Sequence, residues 1–134
     1  MKVRCLATTG RGINTFTLSN IGDLTKTEYP LEKDGMYTIY AQVLFKNVLH
    51  YLIIGTHEDL PSWYPAELFE VVDHQVYLEW YYNYEINSVV SGLWGYKEMV
   101  MTDNHYDDLI ERTEEAIEVF FKRKKEIDEF IEYT

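Results

Sequence analysis

The side chains able to do chemistry are few and scattered in this 134-residue chain. Its four histidines, His50, His57, His74 and His105, never recur at the spacing that puts two rings on one face of a helix or strand. His57-Glu58-Asp59 carries three cation ligands in a row, yet consecutive residues do not converge on one ion, so the triplet reads as a solvated loop. Thr9-Gly10-Arg11-Gly12 lacks the third glycine and following helix of a phosphate-binding loop and reads as a turn. Ser88 and Ser91 have no histidine base in their local sequence. Cys5 is the single cysteine, with no Cys or His beside it at ligand spacing. It alternates with Val3 and Ala7, which predicts a small core residue in a chain kept under reducing conditions. These residues predict no catalytic group, no metal site and no cofactor.

The stronger signal is charge combined with aromaticity. The net charge is −11, which opposes any binding of nucleic acid driven by phosphate neutralisation. Between Asn47 and Tyr96 there is no Lys or Arg, while Glu58, Asp59, Glu67, Glu70, Asp73, Glu79 and Glu85 are all acidic. The same stretch holds about half of the aromatic residues. Within it, Val76 to Ile86 alternates. Val76, Leu78, Trp80, Tyr82, Tyr84 and Ile86 fall on one side, and Tyr77, Glu79, Tyr81, Asn83 and Glu85 on the other. That pattern predicts a half-buried strand with its even face in the core. The odd face, chiefly Tyr77, Glu79, Tyr81 and Glu85, is then a candidate contact surface, joined by Trp63 and Tyr64, because interfaces are enriched in Tyr and Trp.

The elements that must position these residues follow from periodicity. Lys2 to Ala7 predicts a first strand, and Thr15 to Leu18 a short one. Met36 to Phe45 is a clear strand, with Lys46-Asn47 reversing it into Val48 to Ile54. Trp63 to Glu67 reads as a turn or single helical turn, followed by strands at Leu68 to Val72 and Val89 to Tyr96. After Met101 the spacing changes to threes and fours through Tyr106, Leu109, Ile110, Ala116, Ile117, Phe120, Ile127 and Ile131, which predicts one amphipathic helix from about Asn104 to Glu132, capped by Thr102 or Asp103. Phe121 and Phe130 fall off the main stripe, so this helix has either a wide buried face or a contact with a partner, a second copy of the chain included. Lys122-Arg123-Lys124-Lys125 reads as a solvated helix face.

The whole is one α+β domain over 1–134, a β body of five to six strands over 1–101 and a helical segment over 102–134. No run of about eighteen apolar residues is present, and the N-terminus turns polar too soon for a signal peptide, so a cytoplasmic location without membrane contact is expected.

Gly35-Met36-Tyr37-Thr38-Ile39-Tyr40, then Leu49 to Ile54, then Trp63-Tyr64-Pro65-Ala66-Glu67-Leu68-Phe69-Glu70 resemble the small SH3-like barrel proteins of bacterial and phage genomes. The resemblance covers roughly residues 1 to 73. It implies a small antiparallel barrel or curved sheet, and it implies no particular activity. Residues beyond Asp73 depart from that pattern.

Taken together, the sequence predicts a non-enzymatic protein-binding module, an acidic inhibitor or immunity-type protein that covers the basic site of a partner. The alternative is a small-ligand or scaffold protein in which Trp63, Trp80 and Trp94 converge on an aromatic-lined pocket.

Overall fold

The structure is a computed structural model that describes residues 1–133. Eight strands pair into two antiparallel sheets. One has three strands in the order β2-β1-β6 and the other five in the order β5-β4-β3-β8-β7. The strands are β1 (Lys2–Cys5), β2 (Met36–Thr38), β3 (Ala41–Phe45), β4 (Val48–Ile53), β5 (Ser62–Pro65), β6 (Phe69–Asp73), β7 (Tyr81–Tyr84) and β8 (Val90–Gly95). Four helices accompany them: α1 (Thr15–Ile21), α2 (Lys97–Met101), α3 (His105–Ile110) and α4 (Glu114–Tyr133). The α+β class is as expected, but the strand count exceeds five to six and the strands divide between two sheets.

The division happens inside the segment predicted as one strand from Met36 to Phe45. At Ile39 the backbone N–H donates to Met1 O at 3.1 Å, and at Tyr40 it donates to Leu52 O at 3.0 Å. The chain thus leaves the small sheet and enters the large one across a single peptide unit. Ile39 is buried in one core and Tyr40 in the other. Ile39, Tyr40 and Ala41 are buried in succession, so the inward and outward sides do not alternate across the crossing.

β4 separates the two cores. Its sequence, Val-Leu-His-Tyr-Leu-Ile, is a near-continuous apolar run, as a strand covered on both faces requires. Tyr51 and Ile53 face the first core with Val3, Cys5, Leu18 and Phe69, and Leu52 faces the second with Tyr96, Leu109 and Phe120. The β3–β4 hairpin turns on Lys46 and Asn47, both left-handed at φ 50° and 63°. Two such residues give a turn whose twist matches the flanking strands.

Two helical regions differ from expectation. Thr15 to Leu18 is not a strand, because Asn14 Oδ1 accepts the Phe16 N–H at 2.8 Å and nucleates α1, which Gly22 ends at φ 78°. The C-terminal segment is not one helix from Asn104 to Glu132. It breaks after α3, where Arg112 is left-handed at φ 63°, and α4 restarts with Thr113 Oγ1 accepting the Ala116 N–H at 3.3 Å. Leu109 before the break and Ala116, Phe120 and Ile127 after it all enter the second core, so the apolar period runs through the interruption. Neither Thr102 nor Asp103 caps α3, which is preceded by the left-handed Asn104. Thr134, the last position of the helical segment expected over 102–134, lies outside the described residues. Among the described residues no helix is long and apolar enough to cross a membrane.

Candidate docking face and aromatic cleft

Val76 to Ile86 reverses its expected orientation. Only Tyr81–Tyr84 is strand, and all four of its residues are exposed. Of the even face assigned to the core, Trp80 alone is half-buried, against the first core. Val76, Leu78, Tyr82, Tyr84 and Ile86 are exposed, with Tyr82 at 56% and Tyr84 at 54%. The reason is position. β7 ends the five-stranded sheet, and the three-stranded sheet and α1 cover the other end.

Register shows how that face is built. Tyr82, Trp94, Gln42 and Tyr51 stand side by side across β7, β8, β3 and β4, and Tyr84, Gly92, Leu44 and Leu49 form the next row. Directly opposed residues share a face, so one surface runs from the first core at Tyr51 to open solvent at Tyr82. The Tyr82 ring lies on Trp94 with centroids 4.9 Å apart. A Cβ at Gly92 would stand 3.0 Å from the Trp94 ring and 3.1 Å from Leu44 Cδ1, so the missing side chain is what lets the indole lie flat across the sheet.

The free edge is also oriented. Glu85 N–H donates to Ser91 O at 2.7 Å. Hydrogen-bonded pairs in an antiparallel ladder recur at every second residue, so Tyr81 and Asn83 bond to β8 and Tyr82 and Tyr84 turn their N–H and C=O groups outward. The unpaired backbone and the exposed rings therefore belong to the same two residues.

The odd-numbered candidates lie elsewhere. Tyr77 is half-buried against α4, its ring 5.2 Å from Phe130, and its hydroxyl donates to Glu79 Oε2 at 3.4 Å. Tyr81 faces a recess shared with Tyr96, Lys97 and Arg123. Glu79 and Glu85 are exposed just beyond the two ends of β7. Tyr64 is only 4% exposed and belongs to the first core. Trp63 is half-buried beside Tyr106, ring centroids 5.6 Å apart. On α4, Phe130 and Ile131 are half-buried, and of the two off-stripe residues only Phe121 is exposed, with its ring against Phe120. The three tryptophans do not converge: Trp63 lines one cleft, Trp80 the recess beside Tyr81, and Trp94 stacks on Tyr82.

The cleft at Trp63 has a volume of about 390 Å³ and lies between the β4–β5 hairpin, α1 and the α3–α4 connection. Val43, Phe45, Leu52, Trp63, Tyr106 and Leu109 make its apolar lining, and Asp23, His50 and Arg112 are its ionisable groups other than tyrosine. Burial lowers the pKa of His50 and so keeps the ring neutral. Its Nδ1 lies 2.9 Å from Val48 O and donates to it, which makes Nε2 an acceptor. Burial, aided by Asp107, pushes Tyr106 up to about 12. A second buried histidine, His105, is likewise lowered by burial and shares a hydrogen bond between its Nε2 and the Tyr96 hydroxyl at 2.7 Å. Cys5 is fully buried, its thiol raised by burial, with Sγ 3.2 Å from Ala7 O. Among the described residues no three His, Cys, Asp or Glu side chains are grouped to hold a metal ion.

Sequence reasoning assigned Tyr82 and Tyr84 to the core, grouped Trp94 with Trp63 and Trp80 instead of with Tyr82, and gave no indication of the cleft. The signal for β7 was Asn87-Ser88, a turn that leaves its two strands paired to each other. The cleft has no local signal, since Asp23, His50 and Arg112 are far apart in the chain. Comparison with protein-family models, curated proteins and solved structures finds no match to this chain.

Proposed function

We propose that this chain is a protein-binding module without catalytic activity, an acidic inhibitor or immunity-type protein that captures a basic partner through β7. The observation that carries this reading is the coincidence, at Tyr82 and Tyr84, of exposed rings and outward backbone groups on a terminal strand. A strand of the partner adds to that edge by main-chain hydrogen bonds, and its side chains meet the tyrosines on the face. Glu79 and Glu85 flank the strand within a stretch that has no basic side chain, so a cationic partner is attracted at long range and wrong partners are repelled. On this reading the first half of the chain is an SH3-like scaffold, supported by the antiparallel order of its short strands and the Tyr64-Pro65 entry into the turn before β6.

The test uses the isotope-labelled chain and strand-forming peptides of alternating Lys and Val, with Glu-Val peptides as controls. The Lys-Val peptide should shift the amides of Tyr82 and Tyr84, weaken with salt, and lose most of its affinity against Tyr82→Ala/Tyr84→Ala. Shifts that map away from β7, or equal binding of the Glu-Val peptide, refute the reading.

A further inference from the structure

We propose that the cleft between the β4–β5 hairpin and the α3–α4 connection binds a small zwitterion with an apolar body, a dipeptide of apolar residues. This site is separate from β7 and does not depend on the docking reading.

The two ends of the cleft differ in chemistry. At one end stand His50 and Asp23. His50 is 7% exposed. Its Nδ1 hydrogen is committed to Val48 O, and among the described residues Nε2 has no partner, so it presents only a lone pair. Asp23 accepts the Tyr29 hydroxyl on Oδ2 at 2.7 Å, which fixes the carboxylate and leaves Oδ1 open. This end accepts hydrogen bonds and carries negative charge, the complement of an ammonium group.

At the other end stands Arg112. It donates to Pro61 O and, at 3.0 Å, to Ser62 Oγ. A guanidinium has five N–H donors, and the remaining ones suit a carboxylate. The left-handed backbone at Arg112, φ 63°, is what breaks the helical segment and brings this side chain onto the hairpin.

The ends are held apart by the hairpin itself. His50 pairs with Pro65 and Ile53 with Ser62, three residues along the strand, about 10 Å at the usual rise. Leu52, Trp63 and Tyr106 lie along the interval. Among the described residues neither Asp23 nor Arg112 has an ion-pair partner. Two unpaired opposite charges thus share one apolar cleft of about 390 Å³, a volume within the range of small-molecule sites. A neutral apolar ligand would leave both charges unmatched, and a simple anion or cation would leave one.

The experiment titrates the unaltered chain with the dipeptides Leu-Phe and Phe-Leu, each also as its N-acetyl and C-amide derivative. Binding is followed by chemical shifts of the His50 ring and the Trp63 indole. At least one free zwitterion should bind in the millimolar range or tighter, and blocking either end should weaken it about tenfold, close to 1.4 kcal/mol per blocked end. Arg112→Gln should abolish discrimination against the amide alone, and Asp23→Asn discrimination against the acetyl derivative alone. Tyr82→Ala/Tyr84→Ala should leave all these affinities unchanged. Absence of shifts at His50 and Trp63 with both probes, or equal binding of free and blocked forms, overturns the proposal. The comparison of blocked and free ligands needs no variant, so it stands even where a substitution unfolds the chain.

Discussion

Adjacent residues on α4 offer a sharp test of how that helix is used. Phe120 is completely buried and stands edge-on to Tyr40 and Tyr96, at centroid distances of 5.4 and 6.4 Å. Phe121, one position on, is 39% exposed and touches mainly Phe120. Phe120→Ala removes a ring from between the large sheet and the helix and leaves a cavity that Tyr40 and Tyr96 cannot fill, since each hydroxyl is tied, to Asp128 and His105 respectively. The expected cost is about 3 to 5 kcal/mol, which for a chain of this length lowers the melting temperature by about 10 to 20 °C. Phe121→Ala forfeits part of one edge contact and should cost about 1 kcal/mol or less. Urea titration followed by near-ultraviolet circular dichroism reads both, and the slope with urea should stay constant so that the midpoint shift reports stability. Equal costs at the two positions, or a Phe120 cost under about 1 kcal/mol, would refute the assignment of this helix face to the core. Sedimentation of the same variants is informative too: a drop in mass on Phe121→Ala would show that its exposed ring joins two copies.

Other outcomes follow from the same packing. His50 and His105 are both lowered by burial from the ordinary 6.5; each stabilises the fold fully above that value, and the contribution falls away as pH drops below it, because the unfolded chain binds the extra protons. Melting temperature should therefore decline as pH falls below about 6.5, less steeply in His50→Gln, and a flat profile would show that the rings are not held neutral. Glu98, lowered chiefly by its hydrogen bonds to Arg123, adds a further loss at pH below 4.5. Gly10→Ala should destabilise by about 2 kcal/mol or more, measured by urea unfolding, because a Cβ there would lie 2.0 Å from the backbone oxygen of Leu24. Cys5 should resist aqueous thiol reagents in the native state and react at the rate of unfolding, so fast labelling without denaturant would contradict its place in the first core.

Much of the fold was legible because single strands announce their own surroundings. The run from Val48 to Ile53 signals burial on both faces, Lys46-Asn47 signals the reversal, and Val3 and Cys5 signal an inward side. What alternation cannot state is whether anything covers the face it defines. Val76 to Ile86 alternates as a half-buried strand does, yet its even side emerges at the end of the sheet, where only Trp80 reaches the first core. The break at Arg112 was hidden for a related reason, because the apolar period carries on through it, and the crossing at Ile39 is marked only by three successive buried residues, Ile39, Tyr40 and Ala41, set in a longer alternating run. Asp23, His50 and Arg112 share a cleft only because a helix end, a central strand and an interhelical turn meet there, a relation that exists in three dimensions alone.

The terminal strand carries a physical tension that bears on its use. Exposed edges invite pairing with other chains, and proteins usually blunt them with lysine, proline, a bulge or a covering element. Tyr81–Tyr84, Tyr-Tyr-Asn-Tyr, has no charge and no proline, and its pairing with β8 runs without a register shift. The protection it does have is electrostatic and general, because a chain of net charge −11 repels its own copies. Lysine on the edge would have discouraged every partner strand alike. Negative charge beside an open edge discriminates, opposing a second copy of this chain and favouring a cationic strand, while salt near physiological strength confines that discrimination to charges within about 8 Å. On the proposed reading, selectivity at β7 would fall to the nearest acids, Glu79 and Glu85, offset on one side by the Lys97 and Arg123 that share the Tyr81 recess, with the tyrosines supplying the contact area.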